Sequence, residues 1–213
     1  MNKQNEKSKN IKRTKKDKIL ARIRRWGRGC VFTPKDFVDL ASRGSVDMAL
    51  KSLTDEGTIR RVLRGIYDFP MFSKLFNEFA PTHSYKAANT IARQYNWRII
   101  PHGSKGANDF HLSTQVPAKM IFVSDGPTKT IYVDNFPIYF KHVCPKEIRM
   151  KSKISAYVIQ AMKYMGEYEI NTHGIETLKR YVKDEDKQNL ARDAKSSVDW
   201  IYRAACKIAG EAA

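Results

Sequence analysis

The sequence predicts an α+β protein with an N-terminal helix-and-hairpin domain and a C-terminal mixed domain. Three observations carry that. Residues 33–69 hold two short helical patterns split by Ser42-Arg43-Gly44 and followed by a basic two-strand hairpin. Residues 120–141 hold three short strand patterns separated by turn residues. The remaining C-terminal residues carry apolar stripes at helical spacing. The first pattern is the element order of a winged helix-turn-helix. The expected architecture is that domain followed by a small antiparallel sheet with several helices.

Each element has a local cause. In Lys18 to Trp26, Ile19, Leu20, Ile23 and Trp26 share a face while Arg22, Arg24 and Arg25 take the rest. Thr33 can N-cap a helix, and Pro34 suits its first position, where a missing N–H costs nothing. Phe37 and Leu40 then share a face. Arg43-Gly44 breaks that helix and Ser45 is the second N-cap. Val46, Ala49, Leu50 and Leu53 follow at i, i+3, i+4 and i+7, and Gly57 ends the helix. Asp47, Met48, Lys51, Ser52 and Asp55 lie on its outer face. Ile59 to Val62 is a β-prone basic strand, Arg64-Gly65 a turn, and Ile66-Tyr67 the returning strand. A helix-turn-helix sets the start of its second helix in the major groove, and a hairpin of arginines suits phosphates. The plainer alternative is a small α/β domain with a solvated basic hairpin.

Four segments, GRGCVFTPKDF at 27–37, VDMALKSL at 46–53, GTIRRVLRGIYD at 57–68 and STQVPAK at 113–119, resemble AbiEi-like transcriptional regulators. These are antitoxins of the abortive-infection E, type IV toxin–antitoxin systems of bacteria. The resemblance covers roughly residues 18 to 165. It implies an N-terminal winged helix that binds double-stranded DNA at inverted repeats in its own promoter. It also implies a C-terminal domain needed to neutralise a nucleotidyltransferase-like toxin encoded beside it. By position, the DNA-facing candidates are Thr33, Lys35, Arg43, Ser45, Lys51, Ser52, Arg60, Arg61 and Arg64. The family more often shows glycine where this chain has His111, which leaves the local turn open.

Charge agrees with a polyanionic partner. The 213-residue chain has a formal net charge of +17. Residues 1–80 hold 19 Lys/Arg against 9 Asp/Glu, and residues 81–213 hold 20 against 13. The surplus is densest in the N-terminal third, where phosphate neutralisation would give salt-dependent affinity. Charge alone does not choose DNA over RNA, acidic proteins or anionic membranes. Residues 1–17 hold seven Lys/Arg and two acids and are expected to be a disordered arm, either touching phosphates or solubilising the chain. No apolar run suits a signal or membrane segment, so a cytoplasmic protein is expected. Cys30, Cys144 and Cys206 lack metal-ligand spacing, so neither a metal nor a disulfide is expected.

The winged helix is placed at 18–70 and a linker at 71–81, where Phe72, Leu75, Phe76 and Phe79 either tuck against a domain or form a dimer contact. The C-terminal domain is placed at 82–213. It starts with a helix capped by Thr82 and running to Tyr95, then a strand at Trp97–Ile100 and a short helix over Gly103–Leu112. Strands at Met120–Val123, Thr130–Val133 and Pro137–Lys141 form a meander, with Asp125-Gly126-Pro127 and Asp134-Asn135 as its turns. Ile154, Tyr157, Val158, Ala161, Met162 and Met165 stripe one helix, and Ile175, Leu178 and Val182 another. Leu190, Ala191 and Ala194 form a weaker stripe, and Val198, Ile201, Tyr202, Ala205, Ile208 and Ala209 mark a last helix.

No enzymatic chemistry is expected. Gly103-Ser104 is followed by a single Asp109, and one carboxylate does not organise two metals. Asp125 and Asp134 are explained by turns, His142 and Cys144 lack a third partner, and Gly103 to Gly106 is too short for a phosphate loop. No cofactor is called for. The function expected is an autoregulating antitoxin, with a possible homodimer on DNA. The alternative is a module that binds and neutralises a partner toxin directly, with DNA contact secondary.

Overall fold

The computed structural model describes residues 14–211. The chain is α+β and divides into two compact units, Met1–Thr90 and Ile91–Ala213. The expected basic arm falls mostly on residues 1–13, outside the described residues. Residues 14–17 are not part of an arm. Thr14 caps α1 (Lys15–Trp26), accepting from the Asp17 amide while the Asp17 carboxylate accepts from the Thr14 amide. This reciprocal cap satisfies two amides that an uncapped helix end leaves unpaired.

In the first unit, Ile19 and Ile23 of α1 are fully buried. They pack with Phe32 and Phe37, with Val46, Leu50 and Leu53 of α2 (Arg43–Asp55), and with Ile59 and Phe69. Trp26 contacts Phe32 and Phe37, with ring centroids 6.0 and 5.3 Å away, but it stays 42% exposed and lies at the rim of this core. The stripe expected on α2 is the buried one. Its start differs: α2 opens at Arg43, with Ser42 at the cap position and the Ser42 and Ser45 hydroxyls 3.0 Å apart. The expected helix before it is a 3-10 turn, Pro34–Phe37. Arg22 explains the shortness, since its guanidinium takes the Asp36 carbonyl at 2.9 Å and both Asp39 carboxylate oxygens at 2.6 Å.

Strands β1 (Val31–Phe32), β2 (Arg60–Leu63) and β3 (Ile66–Asp68) form an antiparallel sheet in the order β1-β3-β2. Leu63 pairs with Ile66, so Arg64-Gly65 is a two-residue turn, and Gly65 takes the positive φ of 74° it needs. Residues 71–79 are not a linker tucked onto a core. They form the two-stranded hairpin β4 (Phe72–Ser73) and β5 (Glu78–Phe79), with its apolar side chains outward. The next helix opens at Ser84, two residues after Thr82. Thr82 is buried and donates to Asp68 Oδ2 at 2.9 Å. Helix α3 (Ser84–Tyr95) holds the first unit through Lys86 on the Gly29 carbonyl and Thr90 on the Val31 carbonyl. The boundary between units therefore falls within α3.

The second unit holds a four-stranded sheet in the order β6-β7-β9-β8, made of β6 (Ile99–Pro101), β7 (Met120–Ser124), β8 (Lys129–Val133) and β9 (Phe136–His142). It is not an antiparallel meander, because β7 and β9 pair in parallel. Burial explains the order: Ile138 and Phe140 make β9 the more apolar strand and bring it inside, while β8 exposes most of its residues and takes the edge. The chain crosses over β9 at 125–128, where Gly126 lies on the Trp97 ring with no room for a Cβ. Asp134 and Asn135, with φ of 47° and 65°, make the tight turn into β9.

Six further helices follow or interleave: α4 (Gly103–Asp109), α5 (Pro145–Ile148), α6 (Lys153–Met165), α7 (Thr172–Tyr181), α8 (Asp184–Ala194) and α9 (Asp199–Ala209). Helix α6 is central, with Ala156, Val158, Ile159, Ala161 and Met162 fully buried, as expected of a helix apolar on most sides. Ile154, counted in its stripe, is 40% exposed. The weaker α8 stripe is real, since Leu190, Ala191 and Ala194 are all buried. His102 caps α4, and its side chain accepts from the Ser104 amide at 3.2 Å. His111 takes a φ of 56°, a left-handed position that glycine adopts at no cost.

Candidate nucleic-acid interface

Helix α2 turns one face into the core and the other to solvent. Burying Val46, Ala49, Leu50 and Leu53 fixes its rotation. Arg43, Gly44, Asp47, Met48, Lys51 and Asp55 are then exposed. Met48 is 69% exposed near the middle of that face. The charges nearly cancel: Arg43 is fastened to Asp47 one turn on, at 2.9 Å, and Lys51 is followed by Asp55. Lys51 has no ion pair among the described residues.

Lys15 and Lys16 of α1 line a shallow groove with Gly44, Ser45, Met48 and Ser52 of α2. Lys15 donates to the Ser45 hydroxyl at 3.2 Å and Lys16 to the Ser52 hydroxyl at 3.0 Å. Lys16 also pairs with Glu56, and its hydrogen bond, with that of Ser52, holds the Glu56 carboxyl below the usual range. Ser45 and Ser52 are thus partly exposed but already hydrogen-bonded. The capping box at Thr14 and Asp17, readable in the sequence, is the signal that would have placed Lys15 and Lys16 on an ordered helix beside α2.

The hairpin separates its arginines by role. Arg61 and Arg64 are exposed, with no ion pair among the described residues. Arg60 is part-exposed and already engaged. Its guanidinium grips the buried Asp68 carboxylate at 3.0 and 2.5 Å and donates to the Ala80 carbonyl at 3.0 Å. Thr33 lies off the surface: it is 3% exposed and spends its amide on Asp36 Oδ2 at 2.8 Å. Lys35 is exposed on the 3-10 turn. Of nine candidates, Lys35, Arg43, Lys51, Arg61 and Arg64 are exposed, Ser45, Ser52 and Arg60 are part-exposed, and Thr33 is buried.

Asp109 and Asp125 both have structural partners. Asp109 pairs with Lys105 and accepts from the Tyr157 hydroxyl at 2.7 Å. Asp125 accepts from the Arg98 amide at 2.8 Å and from Arg149 at 2.9 Å. No group of three or more metal-ligating side chains occurs among the described residues, and no described helix is long and apolar enough to cross a membrane.

The fold and this surface define an α+β chain with a basic helix-and-hairpin unit at its N-terminal end. The chain belongs to the family described as a family of unknown function (DUF6088), which matches residues 18–190. No curated protein matches it. Among solved structures it is similar to the crystal structure of the RV2827C protein from Mycobacterium tuberculosis. That similarity runs at 14% identity over 93% of this chain and 77% of the other, with a TM-score of 0.43.

Proposed function

We propose that this chain is a DNA-binding transcriptional regulator whose first unit acts as a winged helix. The observation that carries the reading is the succession of α1, β1, the 3-10 turn, α2 and a hairpin with Arg64 at its tip, closed by the β1-β3-β2 sheet. In this reading the N-terminal half of α2 enters the major groove. Lys51 reaches base edges or phosphate there, Met48 lies against the groove floor, and Arg61 and Arg64 hold backbone phosphates. Lys15 and Lys16 extend the positive surface along the start of α2.

The wider role follows from the sequence resemblance. The protein represses its own operon at inverted repeats and is the antitoxin of a type IV system, and the second unit serves neutralisation of a nucleotidyltransferase-like toxin. A second reading is a module that binds the toxin directly, with DNA contact secondary. The charge balance of Arg43 with Asp47 and Lys51 with Asp55 on the outer face of α2 favours it.

The deciding experiment is binding to the duplex upstream of the protein's own gene, against a scrambled duplex, over a salt series. Selective binding that survives moderate salt is expected. Lys51→Ala should lower affinity or change preference by about 1–3 kcal/mol if it reads a base. Arg64→Ala should weaken both duplexes and reduce the salt slope by about one. Equal, salt-labile binding to both duplexes would reject the regulator reading and leave the protein module.

A further inference from the structure

We propose that the β4–β5 hairpin is a self-association surface, on which a second copy of this chain docks about a two-fold axis. The inference does not rest on DNA binding. Met71, Phe72, Leu75, Phe76 and Phe79 fall within nine residues and are 51, 44, 85, 71 and 50% exposed. Phe72 and Phe79 pair across the hairpin with ring centroids 5.5 Å apart, so two rings of the patch pack against each other.

Area is the first argument for a second copy. At roughly 200 Å² for a whole aromatic side chain, the exposed apolar surface comes to about 500 Å². That matches the largest apolar patch of a typical monomer, about 300–600 Å², which is often a functional surface. Two such patches facing each other would bury about 1,000 Å², the lower bound of a specific interface.

Charge is the second argument. Two chains of net charge +17 repel, so self-association needs a segment without net charge. Residues 71–79 carry only Lys74 and Glu78, both exposed, and neither is ion-paired among the described residues. A two-fold operation exchanges contacts reciprocally, so Lys74 of each copy can face Glu78 of the other. An anionic bilayer or an acidic protein would instead be drawn to the basic faces elsewhere. The sheet also has only two strands, so each strand keeps one edge without a ladder neighbour.

Sedimentation of the full chain over a range of concentrations tests this. The wild type should show a reversible monomer–dimer equilibrium. Leu75→Asp with Phe76→Asp should abolish the dimer without changing the circular dichroism or the thermal midpoint, since both side chains are mostly exposed. Lys74→Glu and Glu78→Lys should each raise the dimer dissociation constant about tenfold, and the double swap should restore it. A wild type that stays monomeric, or a dimer that survives the aspartates, overturns the proposal. So does a monomer that binds anionic vesicles through this hairpin. Failure of the swap to restore the dimer overturns the two-fold pairing.

Discussion

Arg60 and Asp68 face each other across the β2–β3 hairpin, with the guanidinium fork on both carboxylate oxygens and the Asp68 side chain 3% exposed. The Thr82 hydroxyl donates to the same carboxylate, and Arg60 also caps the Ala80 carbonyl. One ion pair therefore ties the root of the hairpin to the segment that leads into α3. Removing one partner strands the other's charge in a buried place, which is costlier than losing the pair's net attraction.

Arg60→Ala should thus destabilise the chain by about 3 kcal/mol, seen as a lowered denaturation midpoint. Arg61→Ala, one residue on and exposed, should leave the midpoint within about 0.5 kcal/mol of wild type. Equal effects of the two substitutions would refute the division of the hairpin arginines into a structural and a surface role.

Helix α4 lies against α6 at a distance set by glycine. A Cβ at Gly103 would overlap the Gln160 carbonyl oxygen and come within 2.6 Å of Tyr164 Cβ, and one at Gly106 would meet Ala161 Cβ at 2.9 Å. Gly103→Ala should cost about 2 kcal/mol or more through forced separation of the two helices. Gly44→Ala on the exposed start of α2, where a Cβ meets nothing, should instead stabilise by about 0.5 kcal/mol. A thermal midpoint unchanged by Gly103→Ala would show that the helices part freely.

The features legible in the sequence were those with local causes. The stripe Val46, Ala49, Leu50 and Leu53 set the rotation of α2, and Arg64-Gly65 and Asp134-Asn135 were the hairpin turns they looked like. What escaped depended on partners far along the chain. The parallel pairing of β7 with β9 follows from which strand is buried more deeply, and adjacency in sequence argues for the opposite order. Arg60 resembled its neighbour Arg61 until register set it against Asp68. Thr33 caps the 3-10 turn, and that cap, with core packing around it, removes Thr33 from the surface. In residues 71–79, hydrophobic composition argued for burial, while a two-stranded hairpin this short has no interior to bury it in.

His102 supplies a pH dependence with a definite sign. Its ring nitrogen accepts from the Ser104 amide at the start of α4, and its ring packs edge-on to Tyr164 at 5.8 Å. Accepting requires a neutral ring nitrogen. Burial, and secondarily the positive charge of Lys141, lower its pKa below the ordinary 6.5. The unfolded chain therefore binds the proton first as pH falls. The stability that neutral His102 contributes is complete above about pH 6.5 and is lost as pH drops through the lowered value. His102→Asn keeps a good cap without a titrating group. Between about pH 7 and pH 5, the wild-type denaturation midpoint should fall more steeply than that of His102→Asn. Parallel slopes for the two proteins would mean that protonation of His102 is not linked to folding.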